Sequence, residues 1–176
     1  MFTLCVKTVF KRKPILGLCL VLGMMVLFVG CPTEAEKTEN RGFIPVGAWT
    51  DDWGGGYTIT NTTVKYFMAD SEWEGTTFPG GEITGNIEIA TDFLKDSGVL
   101  IIKITSVEGG GMASYTQGKY TCVYYKDYTS SHVFLANPID AAWNPVQADT
   151  LTDAKNIFTI DNVDIHVTNW GSGYNK

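Results

Sequence analysis

From Val46 onward, apolar and polar positions alternate in short runs separated by clusters of Gly, Asn, Asp and Ser. A period of two bounded by turn residues is the pattern of half-buried strands. It predicts strands near 46–50, 56–60, 64–68, 83–90, 99–105, 119–126, 132–136 and 164–168. Tyr57–Thr60 and Val64–Phe67 flank Asn61-Thr62, which predicts a hairpin with Asn at its tip, where positive φ is tolerated. In the fourth run Ile83, Ile87 and Ile89 face one way and Thr84, Asn86 and Glu88 the other. In the fifth, Leu100, Ile102 and Ile104 oppose Val99, Ile101 and Lys103, a strand apolar enough to be mostly covered. One segment breaks the rhythm. Thr150-Leu-Thr-Asp153 reads as a capping box, and Leu151, Ala154, Ile157 and Phe158 fall at helical spacing, predicting a helix of about two turns over 151–158.

Eight short strands and one late helix predict an all-β fold, an antiparallel barrel of about eight strands. Closing a sheet on itself removes its edges and leaves an interior that is filled or holds one small ligand. The 19 threonines after residue 30 agree with strand, where β-branched side chains pack well.

The first thirty residues follow a different rule. Lys7, Lys11, Arg12 and Lys13 precede an uncharged apolar run from Ile15 to Val29. At about 15 residues the run is shorter than the roughly 20 that span a bilayer, and it reads as the apolar region of an export signal. Phe28-Val29-Gly30-Cys31 resembles the lipobox of bacterial lipoproteins, although Phe28 and Val29 are bulkier than the usual residues there. The resemblance implies cleavage before Cys31 and a diacylglyceryl thioether on its sulfur. Pro32 to Arg41 is polar and aperiodic, the composition of a flexible tether. The expected organisation is a signal peptide over 1–30, a lipidated cysteine and tether over 31–43, and a barrel domain over 44–176. Two or three acyl chains would hold such a domain at a membrane, since each buried CH₂ contributes about 0.8 kcal/mol. The expected location is a bacterial membrane after export, the outer membrane or cell surface rather than the inner membrane.

Charge narrows the partners. Residues 31–176 carry 9 Lys and Arg against 19 Asp and Glu, a net of −10. Phosphate binding needs clustered bases, so nucleic acid is excluded as a general partner. At 44% hydrophobic and 12% aromatic the chain is not a disordered one. With Cys5 and Cys19 in the signal and Cys31 taken by lipid, only Cys122 remains, and the domain is held by packing without a disulfide.

Gly47-Ala48-Trp49 at the first strand resembles the G-x-W signature of lipocalins and related calycin-like barrels, whose tryptophan plugs the closed end of the barrel. A late helix before a final strand fits the same pattern. The resemblance implies a fold and a plugging role for Trp49, not an activity.

Candidate chemistry is sparse. No H-E-x-x-H, G-x-S-x-G, Walker or C-x-x-C pattern is present. Cys122 lies mid-strand with no charged neighbour, as a small apolar core residue would. His132 opens a strand, and His166, alternating with Ile165 and Val167, is expected to point to solvent. Asp70, Glu72 and Glu74 before Gly75 match the first half of an EF-hand loop, but Gly81 stands where its bidentate Glu belongs. No enzyme activity, metal or cofactor is expected. Trp53, Trp73, Trp143 and Trp170 are a different matter: each lies in a predicted loop beside Gly, Asp or Asn. A loop tryptophan either packs over a barrel mouth or awaits a partner. The expected function is therefore a lipid-anchored, non-enzymatic binding module taking a small apolar ligand or a protein partner. The alternative is a structural envelope protein or inhibitor with no small-molecule ligand.

Overall fold

A computed structural model of the protein describes residues 42–167, 170 and 173–176. The expected signal peptide, Cys31 and the tether as far as Arg41 lie outside the described residues. Ten strands and two short helices follow: β1 Gly47–Thr50, β2 Gly56–Ile59, β3 Thr63–Met68, β4 Ser71–Trp73, β5 Thr76–Phe78, β6 Gly81–Leu94, β7 Ser97–Glu108, β8 Tyr120–Lys126, β9 His132–Ala136, α1 Leu151–Ile157, α2 Val163–His166 and β10 Tyr174–Asn175.

Eight of the strands close into one barrel in the cyclic order β1-β10-β9-β8-β7-β6-β3-β2. Every neighbouring pair is antiparallel. β4 and β5 form a separate hairpin inserted between β3 and β6. The fold class expected from the alternation is the one observed, and seven of the eight anticipated strands coincide with β1, β2, β3, β6, β7, β8 and β9.

The eighth is a correction. Residues 164–166 of the anticipated strand 164–168 are helical, and the closing strand is β10. Val163, Ile165 and Val167 satisfy a period of two, but Val163 and Val167 also stand one helical turn apart. The protein uses the second spacing: Val167 is buried while Ile165 is 65% exposed. Hence there are two short late helices where one was expected. α1 itself begins as its capping box requires, with Thr150 Oγ1 accepting from the Asp153 backbone N–H at 3.1 Å.

The barrel wall has a core on each side. Inside lie Trp49, Tyr57, Ile59, Val64, Ile87, Ala90, Leu100, Ile102, Val123, Tyr125, Val133 and Leu135. Outside, Val99, Ile101, Cys122 and Tyr124 on β7 and β8 are covered by Ala148, Ala154, Phe158 and Val167 from the segment carrying the helices. That cover explains why β7 is apolar on both faces. Ile89 departs from the simple alternation. A bulge between Ile87 and Ile89 shifts the register, so Ile87 faces the interior while Ile89 packs in the outer layer.

Because neighbours alternate in direction, the connections sort onto two ends. Connections 51–55, 69–80, 109–119 and 137–173 leave one end, here called the distal end. Turns 60–62, 95–96 and 127–131 occupy the other, where β1 also begins. The lead-in to β1 is tied to that second end. Gly42 donates to the Ala90 carbonyl at 2.9 Å, and Phe43 donates to Asp92 at 2.7 Å while its carbonyl accepts from the Tyr125 hydroxyl at 3.1 Å.

Candidate functional site: the distal aromatic end

The five tryptophans fall into two groups. Trp49 is fully buried in the interior, its indole Nε1 donating to the Pro45 carbonyl at 2.8 Å and its ring edge-on to Tyr128 at 5.8 Å. Pro45 and Tyr128 belong to the end opposite the long connections, so the Trp49 indole reaches towards that end. Trp170 is half-buried against the outer core. Trp53, Trp73 and Trp143 are instead 84%, 67% and 75% exposed. All three are carried on connections that leave the distal end: 51–55, the β4–β5 hairpin and 137–173. The structure thus separates Trp170 from the other three and gives Trp73 to a strand rather than a loop.

Two of these tryptophans are presented by the same turn, built twice. In residues 51–55 the Asp51 N–H donates to the Gly55 carbonyl at 3.0 Å, and its carboxylate accepts from the N–H groups of Trp53 at 2.9 Å and Gly55 at 2.8 Å. In residues 140–144 the Asp140 N–H donates to the Asn144 carbonyl at 2.8 Å, and its carboxylate accepts from Ala142 and Asn144, each at 2.8 Å. Aspartate favours such turns because its short carboxylate caps backbone donors two and four residues on. The Asn144 and Ala142 amides hold the Asp140 carboxyl below its ordinary pKa. Trp73 is positioned differently, as the last residue of β4 before Glu74 and Gly75, whose φ values of 49° and 74° make a tight hairpin turn.

Carboxylates adjoin two of these rings along the chain. Asp52 adjoins Trp53, and Glu72 and Glu74 flank Trp73; all three are exposed. Asp70 is used internally, accepting from the Gly80 N–H at 2.6 Å. The EF-hand-like stretch is therefore part of a hairpin, and no group of three His, Cys, Asp or Glu side chains is placed to hold a metal among the described residues. Beside the strand ends from which this hairpin leaves lies an open groove of about 480 Å³ whose lining includes Phe67, Met68, Lys65, Glu82 and Glu108. Lys65 is paired with Glu82 at 2.6 Å.

The interior is occupied by its own side chains. Trp49, Tyr57, Leu100, Ile102 and Val123 are 0–1% exposed, so they border no water-sized void. Towards the distal end Tyr57 stacks near Tyr66 at 4.8 Å and edge-on to Tyr174 at 5.1 Å. Burial pushes the hydroxyls of Tyr57, Tyr66 and Tyr174 above the ordinary tyrosine range, with neighbouring tyrosines adding to the effect on Tyr57 and Tyr66.

The remaining candidates are placed as follows. Cys122 is buried under the helix-bearing segment, and burial pushes its thiol upward. His132 is half-buried with its ring edge-on to Phe134 at 4.9 Å. His166 does not point to solvent from a strand, as the alternation suggested. It ends α2, half-buried 6.2 Å from the Phe158 ring, and burial lowers its pKa.

What the sequence reading missed is the organising role of Asp51 and Asp140. The signal was present: each begins a five-residue span ending in Gly or Asn with a tryptophan inside it, Asp51-Asp-Trp-Gly-Gly55 and Asp140-Ala-Ala-Trp-Asn144. Comparison with protein-family models, with curated proteins and with solved structures finds no match to this chain.

Proposed function

We propose that the chain is a lipid-anchored, non-enzymatic binding module of the bacterial envelope that engages a protein partner through its distal aromatic end. The observation that carries this reading is that three exposed tryptophans are carried on connections leaving one end of the barrel. Large exposed aromatics cost solvation and are the residues that dominate protein interfaces. Two of them are mounted on turns held by carboxylate–amide hydrogen bonds, so little loop freedom is lost on binding. Of the two ligand classes expected from sequence, the protein partner is favoured over the small apolar molecule, because the barrel interior is already taken by Trp49, Tyr57 and their neighbours.

The anchor in this reading rests on sequence, on Cys31 after Gly30 at the end of the apolar run. β1 begins at the end opposite the tryptophans, so a tether from Cys31 would join the barrel there and leave the aromatic end free.

Two measurements test the proposal. Cells fed a labelled fatty acid should label the full chain but not its Cys31→Ser variant. A photo-crosslinking residue at position 53 or 143 of the full chain should yield a defined protein adduct, and one at position 130, in the opposite turns, should not. Adducts from position 130 alone, or an acyl label unaffected by Cys31→Ser, would refute the corresponding half.

A further inference from the structure

We infer that the partner presents a cationic segment, with lysine or arginine side chains that lie on the exposed indoles and pair with the carboxylates beside them. This rests on the reading of the distal end as a protein-binding surface and specifies the chemistry of what it binds. The argument begins with the tryptophans that are satisfied internally. Lys176 lies over the Trp49 ring at 4.8 Å and Lys126 over Trp170 at 4.5 Å. A cation over an indole face is the strongest pairing of this type. Trp53, Trp73 and Trp143 have no such cation among the described residues, and all three are open to solvent.

The charged residues next to Trp53 and Trp73 in the chain are negative. Asp52, Glu72, Glu74 and Glu108 carry no ion pair among the described residues. The nearby cations are spent: Lys65 on Glu82, and Lys119 on Asp149 at 3.1 Å. An arginine or lysine arriving here meets an indole face for its charge and stem and a free carboxylate for its hydrogen bonds. The groove beside the hairpin extends the same chemistry, with Phe67 and Met68 for an aliphatic stem and Glu108 for its head. An acidic partner or an anionic membrane surface would be repelled by these carboxylates, and a neutral glycan would leave them unneutralised.

The test uses the purified full chain in detergent with an oligoarginine peptide, and oligoglutamate and a Gly/Ser peptide as controls. Oligoarginine should bind, and added salt should weaken it. The distal variant Asp52→Asn/Glu72→Gln/Glu74→Gln should weaken it about tenfold or more, as should Trp53→Ala/Trp143→Gly. Because the whole domain is acidic, a matched variant away from this end, Glu88→Gln/Asp96→Asn/Asp127→Asn, is the control for unspecific attraction. Equal weakening by distal and control variants, or no oligoarginine binding, overturns the inference. The two readings fail separately. If crosslinks from positions 53 and 143 persist in the distal charge variant, the aromatic interface stands and the cationic partner falls. If those crosslinks are absent from the unaltered chain as well, both fall.

Discussion

Gly54 and Trp143 occupy the same position in two copies of one turn, fourth of five, with φ of +82° and +65°. Glycine adopts that left-handed conformation freely, whereas a bulky L-residue there costs about 1–2 kcal/mol. Strain held by an exposed residue is a mark of a side chain kept for something other than stability. Trp143→Gly should therefore leave the barrel as stable as before or up to about 1 kcal/mol more so. Gly54→Ala, the reciprocal change, should cost about 1 kcal/mol. Denaturant midpoints of the two variants check both signs.

Trp49 gives the contrasting result. It is fully buried, and its indole satisfies the Pro45 carbonyl. Trp49→Ala should destabilise by about 3–5 kcal/mol, while Trp53→Ala should stay within about 0.5 kcal/mol. A Trp53 variant as damaging as the Trp49 one would show that the exposed ring is part of the core.

Cys122 is covered by the helix-bearing segment and its thiolate is disfavoured by burial. A thiol-specific probe should label native protein only at the rate of opening, and denatured protein at once. Fast labelling under native conditions would mean that the α1 side detaches readily from β7 and β8.

The tyrosines in and against the interior core set the alkaline limit. Tyr57, Tyr66, Tyr125 and Tyr174 all have hydroxyls held above the ordinary value, burial being the largest cause in each. Unfolded tyrosine ionises near pH 10. The unfolded state therefore releases protons first, and stability is complete below about pH 10 and falls as pH rises beyond it. Tyrosinate absorbance should grow together with loss of the fold, not ahead of it. At the acid end Asp140 works in the opposite sense. Its carboxyl is held low by the Asn144 and Ala142 amides, so the turn beneath Trp143 is secured above the ordinary carboxylate pKa and loosens only as pH falls through the depressed one. The amide resonances of Ala142 and Asn144 should report that step.

Much of this architecture was legible because it is written in local rules. β9 coincides with its anticipated limits, and α1 begins at the Thr150 cap that its sequence announces. β4 and β5 were illegible for a physical reason: every residue in both is exposed, so no burial alternates along them. β10 is two residues long and carries no period at all. Tryptophans in turns were visible as candidates, but the end from which their connections leave depends on strand direction. With the hairpin counted as an insertion, every second connection of an up-and-down barrel leaves from one end, and Trp53, Trp73 and Trp143 all lie on such connections.

β1 meets β10 through one residue pair, Thr50 with Asn175, where β6 and β7 run together over most of their length. The cylinder is thus sewn shut by its most widely separated partners in sequence, and contacts of that span are the kind that slow the folding of a domain. Were that single pair lost, β1 would become a sheet margin, and at four residues it would give stray strands little to copy.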